Sequence, residues 1–165
     1  MSLKKNIFLF FGILFLLAST RLIPHPPNFT VLLALSFYVP AIFGIRYIFF
    51  VLLSFAVTDL LIGYHYLTHW TWGSVILIGL LSRLFCISVS ARLIGVFFSV
   101  LVYFILTNFA VWLQGNLYNL SLEGLFTCYV MAIPFLGNSL ISSFMFSILI
   151  EILLSKNLIS KSALN

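Results

Sequence analysis

The sequence holds only three acidic side chains, and one of them, Asp59, stands inside a run of Leu, Ile, Val and Phe. An ionisable group in such a run is costly unless paired or hydrated, so it marks function by default. Arg21 lies at a matching depth in another apolar segment and is the expected partner of Asp59. Arg83 sits well inside a later apolar run, either as a second functional charge or as a side chain snorkelling to the membrane interface. Asn28, Asn108 and Asn138 make a second polar set, with Thr107 and Gln114 near them in depth. A buried amide must find hydrogen-bond partners. Each Asn therefore reads either as a helix–helix contact or as part of a polar pocket. With His25, the candidate ligand-binding residues are Arg21, His25, Asn28, Asp59, Asn108 and Asn138.

Other chemistries find no constellation. His65 and His69 have the i,i+4 spacing of a helical metal pair, but they fall in a polar stretch with no third ligand in sequence, so no metal site is expected. No Ser-His-Asp set, paired carboxylates or phosphate-cradling glycine motif can be assembled, and three acids in 165 residues argue against a hydrolytic enzyme. The expected protein is not an enzyme and carries no cofactor. Cys86 and Cys128 lie in apolar runs without CxxC spacing and read as small packing residues. The formal charge of +5 is spread along the chain rather than clustered, which argues against nucleic acid as a partner.

The elements that position these residues are set by composition. The chain is 63% hydrophobic and 7% charged, with a mean hydropathy of +1.24. Soluble domains carry about 25% charged residues, so the natural solvent here is lipid. A transmembrane helix needs about 20 apolar residues. That rule gives candidate spans at 6–22, 29–45, 47–64, 72–90, 93–113 and 136–155. The count is six, or five if the fourth is not a span. A further apolar piece at 121–134 is separated from the last span by Pro134 and Gly137. The absence of apolar–polar alternation excludes a β-barrel. The fold class expected is an all-α integral membrane protein, a single domain over 1–165.

The opening MSLKK, its apolar run and Ala18-Ser19-Thr20 resemble a secretory signal peptide, but the apolar stretch reaches Ile23, which favours a retained first helix. With Lys4 and Lys5 inside, six spans place Arg46, Arg83, Arg92, Lys156 and Lys161 toward the inner side and leave Arg21 outside. That pattern follows the positive-inside rule, with both termini cytoplasmic. Trp70, Trp72, Trp112, Tyr118 and Tyr38 read as an interfacial aromatic belt.

Three of the five prolines fall within RLIPHPPN at 21–28. Proline restricts φ and lowers the entropy lost on ordering, so this outer loop reads as either a preformed lid or a stiff turn. Pro134 and Gly137 interrupt a hydrophobic run, as helix breaks do at transporter sites or at simple kinks. Ser82, Cys86 and Ser90, and likewise Ser139, Ser143 and Ser147, repeat every four residues and read as small-residue packing stripes.

RLIPHPPNF, DLLIG from Asp59, TNFAVWL at 107–113 and CYVMAIPFLGNSL at 128–140 resemble an uncharacterised bacterial family of small membrane proteins to which a transport role is ascribed. The wider architecture resembles the S components of energy-coupling-factor transporters. That resemblance implies a bundle of about six transmembrane helices in the bacterial inner membrane and a vitamin-sized ligand near the outer face. It places RLIPHPPN over the site. It also implies an energising transporter module as partner. The first helix departs from the pattern, offering Gly12 and Ala18 rather than an AxxxA-like docking patch. The expected function is binding and uptake of a small organic nutrient; the alternative is a structural or assembly subunit of a membrane complex.

Overall fold

The computed structural model describes residues 2–156, and among these every regular element is helical. Seven α-helices follow in order: α1 (Leu3–Leu22), α2 (Leu32–Phe43), α3 (Ile48–Ile62), α4 (Thr68–Leu81), α5 (Val89–Leu113), α6 (Leu122–Met131) and α7 (Ile133–Ser155). A 3-10 turn, Ile45–Tyr47, leads into α3, and another, Ser82–Phe85, follows α4. Among the described residues four helical runs are long and apolar enough to cross a bilayer: α1, Ile45–Ile62, α5 and α7.

Local chemistry sets the ends. Gly44 and Gly63 take φ values of 103° and 112°, closed to most side chains. Their amides donate to the carbonyls of Pro40 (3.0 Å) and Asp59 (2.8 Å), which stops α2 and α3. Ser88 and Ser121 cap α5 and α6 by accepting from Ala91 N and Gly124 N, each at 3.1 Å.

α2 is the centre. Every residue from Leu32 to Ile42 is buried, against α3, α4, α5 and α7. Its 12 residues span only about 18 Å, short of the roughly 30 Å hydrocarbon layer, and neighbouring helices cover it on all sides. α1 lies on α3, largely exposed, with Phe8, Phe11 and Phe15 on its outer surface. The polarity is inverted relative to a soluble protein. Ser36, Ser54, Thr58, Asp59, Ser99, Ser143 and Ser147 are buried, whereas Leu60, Leu61, Ile87 and Leu122 are exposed. Only a lipid surrounding makes that arrangement favourable. α5 approaches α2 closely: a Cβ on Gly95 would stand 2.6 Å from the Phe37 ring and 2.7 Å from Phe85 Cβ.

Several elements depart from the sequence expectation. The segment read as 72–90 is helical from Thr68, because the Thr68 hydroxyl and the His65 backbone bond each other and start the helix early. Its α-helix ends at Leu81, so Arg83 lies in the following 3-10 turn rather than midway along a span. The Ser82, Cys86, Ser90 stripe is broken by that turn: Ser82 is buried and Ser90 exposed. Ser139, Ser143 and Ser147 do form a buried stripe on α7. The break before α7 falls at Ala132, with Pro134 and Gly137 inside its first turns. Proline is tolerated there because a first-turn amide has no helical acceptor. Tyr38, read as an interfacial aromatic, is 1% exposed at the centre of the bundle.

Candidate functional site

The ends of α1 and α3 meet the starts of α4 and α7 at one end of the bundle, and there the expected ion pair forms. Arg21 Nη2 lies 2.7 Å from Asp59 Oδ1. Asp59 is 2% exposed, and its second oxygen accepts from Trp72 Nε1 at 2.7 Å. Arg21 Nη1 donates to the Thr58 hydroxyl and to the Phe55 carbonyl at 3.4 Å. The guanidinium also stands 4.5 Å from the centre of the Phe55 ring. Contacts on several sides hold one orientation of a side chain with many rotamers, which is what a binding group requires.

Arg21 faces a cavity of about 300 Å³. His25, Asn28 and His65 contribute loop polar groups to its lining, Tyr103 and Ser139 contribute hydroxyls from α5 and α7, and Leu32, Leu33 and Phe55 supply apolar surface. Asp59 does not line it; the carboxylate stands behind Arg21 and orients it.

The loop above the cavity is built as a tight turn. Pro27 and Asn28 occupy its central positions, Asn28 with φ 62°, and Phe29 N donates to Pro26 O at 3.0 Å. Proline first and a left-handed residue second is the pattern of a type II turn, and Asn tolerates that conformation better than other non-glycine residues. Three further bonds fasten the segment. Asn138 Nδ2 on α7 donates to Pro27 O at 2.9 Å, Val31 N donates to the Thr20 hydroxyl at 3.3 Å, and the His25 ring meets Pro26 O at 2.7 Å.

Of the six residues singled out in the sequence, the structure thus places Arg21, His25 and Asn28 on the cavity wall. Asp59 supports Arg21, and Asn138 ties the loop to α7. Asn108 is separate: its amide donates to Phe104 O at 2.8 Å within its own helix, and it does not line the cavity. Trp72, which holds Asp59, and Thr71 and Tyr103, which line the cavity, were missed. For Trp72 a signal existed, since an indole N–H inside a membrane protein seeks an acceptor.

A second polar cluster lies toward the opposite end, where α2 and α7 finish and α5 starts. Arg92 grips Glu151 through Nε–Oε1 (2.6 Å) and Nη2–Oε2 (2.7 Å), and Tyr38 OH donates to the same Oε1 at 2.7 Å. Arg92 Nη1 donates to Cys86 O at 3.2 Å. Glu151 met the same criterion as Asp59, an acid within an apolar run, and was overlooked. The cluster ties α2, α5 and α7 together with every charge paired, a structural clasp.

Residues 1–158 match the model of a family of unknown function, DUF6580, and the chain belongs to that family. Neither a curated protein nor a solved structure shows a significant match to the chain.

Proposed function

We propose that this DUF6580 member is a membrane-embedded binding and uptake protein for a small organic molecule, captured beneath the 21–28 loop. The observation that carries this reading is the Arg21 guanidinium, oriented by buried Asp59 on the wall of a cavity whose covering turn is preformed. A cavity of about 300 Å³ matches the lower end of ligand pockets, which run from roughly 300 to 1,000 Å³. Asp59 already balances the Arg21 charge. The favoured ligand is therefore a compact, neutral or zwitterionic molecule with hydrogen-bond acceptors for the guanidinium and donors for the Tyr103 and Ser139 hydroxyls. A vitamin-sized nutrient has this chemistry.

The same reading takes α2 and α4 as members of a six-crossing bundle in a bacterial inner membrane, with both termini cytoplasmic and the cavity facing outward. This reading follows the resemblance of the sequence to the S components of energy-coupling-factor transporters. An energising module is the partner this implies, and α1, mostly exposed and lacking an AxxxA-like patch, would have to dock it by other contacts.

Mass spectrometry of the purified protein tests the reading directly. A bound small molecule at near-stoichiometric level in the native chain, lost in the Arg21→Met/Asp59→Leu variant while folded yield persists, is the expected result. An empty cavity together with stoichiometric co-purification of another membrane protein would favour an assembly subunit instead.

A further inference from the structure

We infer that the groove between the α2–α3 turn and the end of α4 binds the headgroup of an anionic phospholipid through Arg46 and Arg83. The groove has a volume of about 510 Å³ and is lined by Phe43, Gly44, Ile45 and Arg46 on one side and by Leu80 and Arg83 on the other. It lies at the end of the bundle away from the 21–28 loop, so this inference stands independently of the uptake reading.

Charge complementarity identifies the occupant. The chain has three acidic side chains. Asp59 is held by Arg21 and Glu151 by Arg92. Glu123 stands in the first turn of α6, which follows the α5 C-terminus at the far end of the bundle. No acidic side chain of this protein is left for Arg46 or Arg83. Among the described residues the Arg46 side chain makes one hydrogen bond, to the Tyr47 hydroxyl at 3.4 Å, and lies 5.0 Å from that ring, and the Arg83 side chain makes no hydrogen bond or ion pair. Two exposed guanidiniums thus converge on one groove with no carboxylate between them. Guanidinium groups bind phosphate oxygens in pairs, and basic pockets between helices at a bilayer surface select anionic headgroups.

The walls decide for a lipid over a free anion. Phe43, Ile45 and Leu80 give the groove an apolar lining that a hydrated phosphate would not use but that the glycerol and upper acyl carbons of a lipid would cover. The helical run Ile45–Ile62 also begins here, and the amides of Ile45 and Arg46, which precede its first helical bond from Tyr47 N to Gly44 O, add positive potential beside the groove.

The test uses the full chain, delipidated in a mild detergent. Phosphatidylglycerol should bind and raise the unfolding temperature, phosphatidylcholine should not, and inorganic phosphate at equal concentration should have no effect. Native mass spectrometry should show phosphatidylglycerol affinity falling about fivefold for each of Arg46→Gln and Arg83→Gln. The Lys4→Gln/Lys5→Gln variant removes charge from the same end outside the groove and should bind as the native chain does. Equal response to both lipids, equal protection by inorganic phosphate, or unchanged affinity in both Arg46→Gln and Arg83→Gln would each overturn the inference. The lipid comparison on the native chain decides the matter even if an arginine variant fails to fold.

Discussion

Asn138 of α7 donates its side-chain amide to the Pro27 carbonyl at 2.9 Å, so the loop between α1 and α2 is clipped to the last helix of the bundle. Proline restriction, the left-handed Asn28 and this clip act on one short segment, and together they make the cavity's cover preformed rather than disordered. Each device can be removed by itself.

Asn138→Ala should leave the fold intact and loosen the cover. The lost bond is a neutral one, worth about 0.5–1.5 kcal/mol, and hydrogen exchange at Phe29 and Thr30 should rise while unfolding of the bundle shifts little. Unchanged exchange would mean that the turn holds without α7.

Pro27→Ala widens the conformations open to the loop without deleting a polar contact. If the uptake reading holds, ligand affinity should fall about two- to fivefold, the entropy equivalent of roughly 0.4–1 kcal/mol. Asn28→Gly keeps the left-handed φ accessible and should bind more nearly like the native chain than Asn28→Val, whose branched side chain resists φ 62°. Equal affinities in all three variants, measured in one detergent, would reject the cover.

The Arg21–Asp59 pair should behave as a unit. Asp59→Ala leaves a guanidinium with its carboxylate gone, and Arg21→Ala leaves a carboxylate with 2% exposure retaining only Trp72. Breaking a buried pair from one side costs about 3–5 kcal/mol; partial exposure of Arg21 puts the Asp59→Ala variant at the lower end. The double change Arg21→Met/Asp59→Leu should recover much of that stability in thermal unfolding while failing to bind ligand. Additive losses in the double variant would show that the two residues act separately.

Gly95→Ala should destabilise by about 1–3 kcal/mol through overpacking, because the new methyl meets both the fully buried Phe37 ring and Phe85 Cβ. Gly137→Ala is the control: a Cβ there meets nothing within 4 Å, and the helix gains propensity. A Gly95→Ala protein as stable as the native chain would mean that α5 can back away from α2.

Reporter fusions after Lys5, Arg46 and Arg92 should report the cytoplasm, and fusions at Asn28 and Asn116 the outside. An exterior signal at Arg46 would invert the orientation and move the cavity to the inner face.

By itself the sequence determined the solvent, the helical class and the Arg21–Asp59 pairing, because each follows from quantities that add up along the chain. A hydrophobic average identifies a membrane protein whatever its partners. Counting spans puts the last turn of α1 and the last turns of α3 at one depth, where an isolated acid and an isolated base have reason to meet. The proline cluster likewise announced a rigid turn. What only tertiary structure decided is which apolar helix faces protein and which faces lipid. In a soluble protein a polar face would betray the answer, but here both surroundings are apolar, so α2 at the buried centre and α1 at the periphery read alike. Tyr38 and Trp72 were therefore assigned to the interface, when one lies on Glu151 and the other on Asp59. Asn108 was drawn toward the cavity by depth alone, and its rotation about α5 left it bonding its own backbone. Depth is a one-dimensional quantity that sequence supplies; the angle about the helix axis is set by packing, because only neighbouring helices distinguish one side of a uniformly apolar cylinder from another.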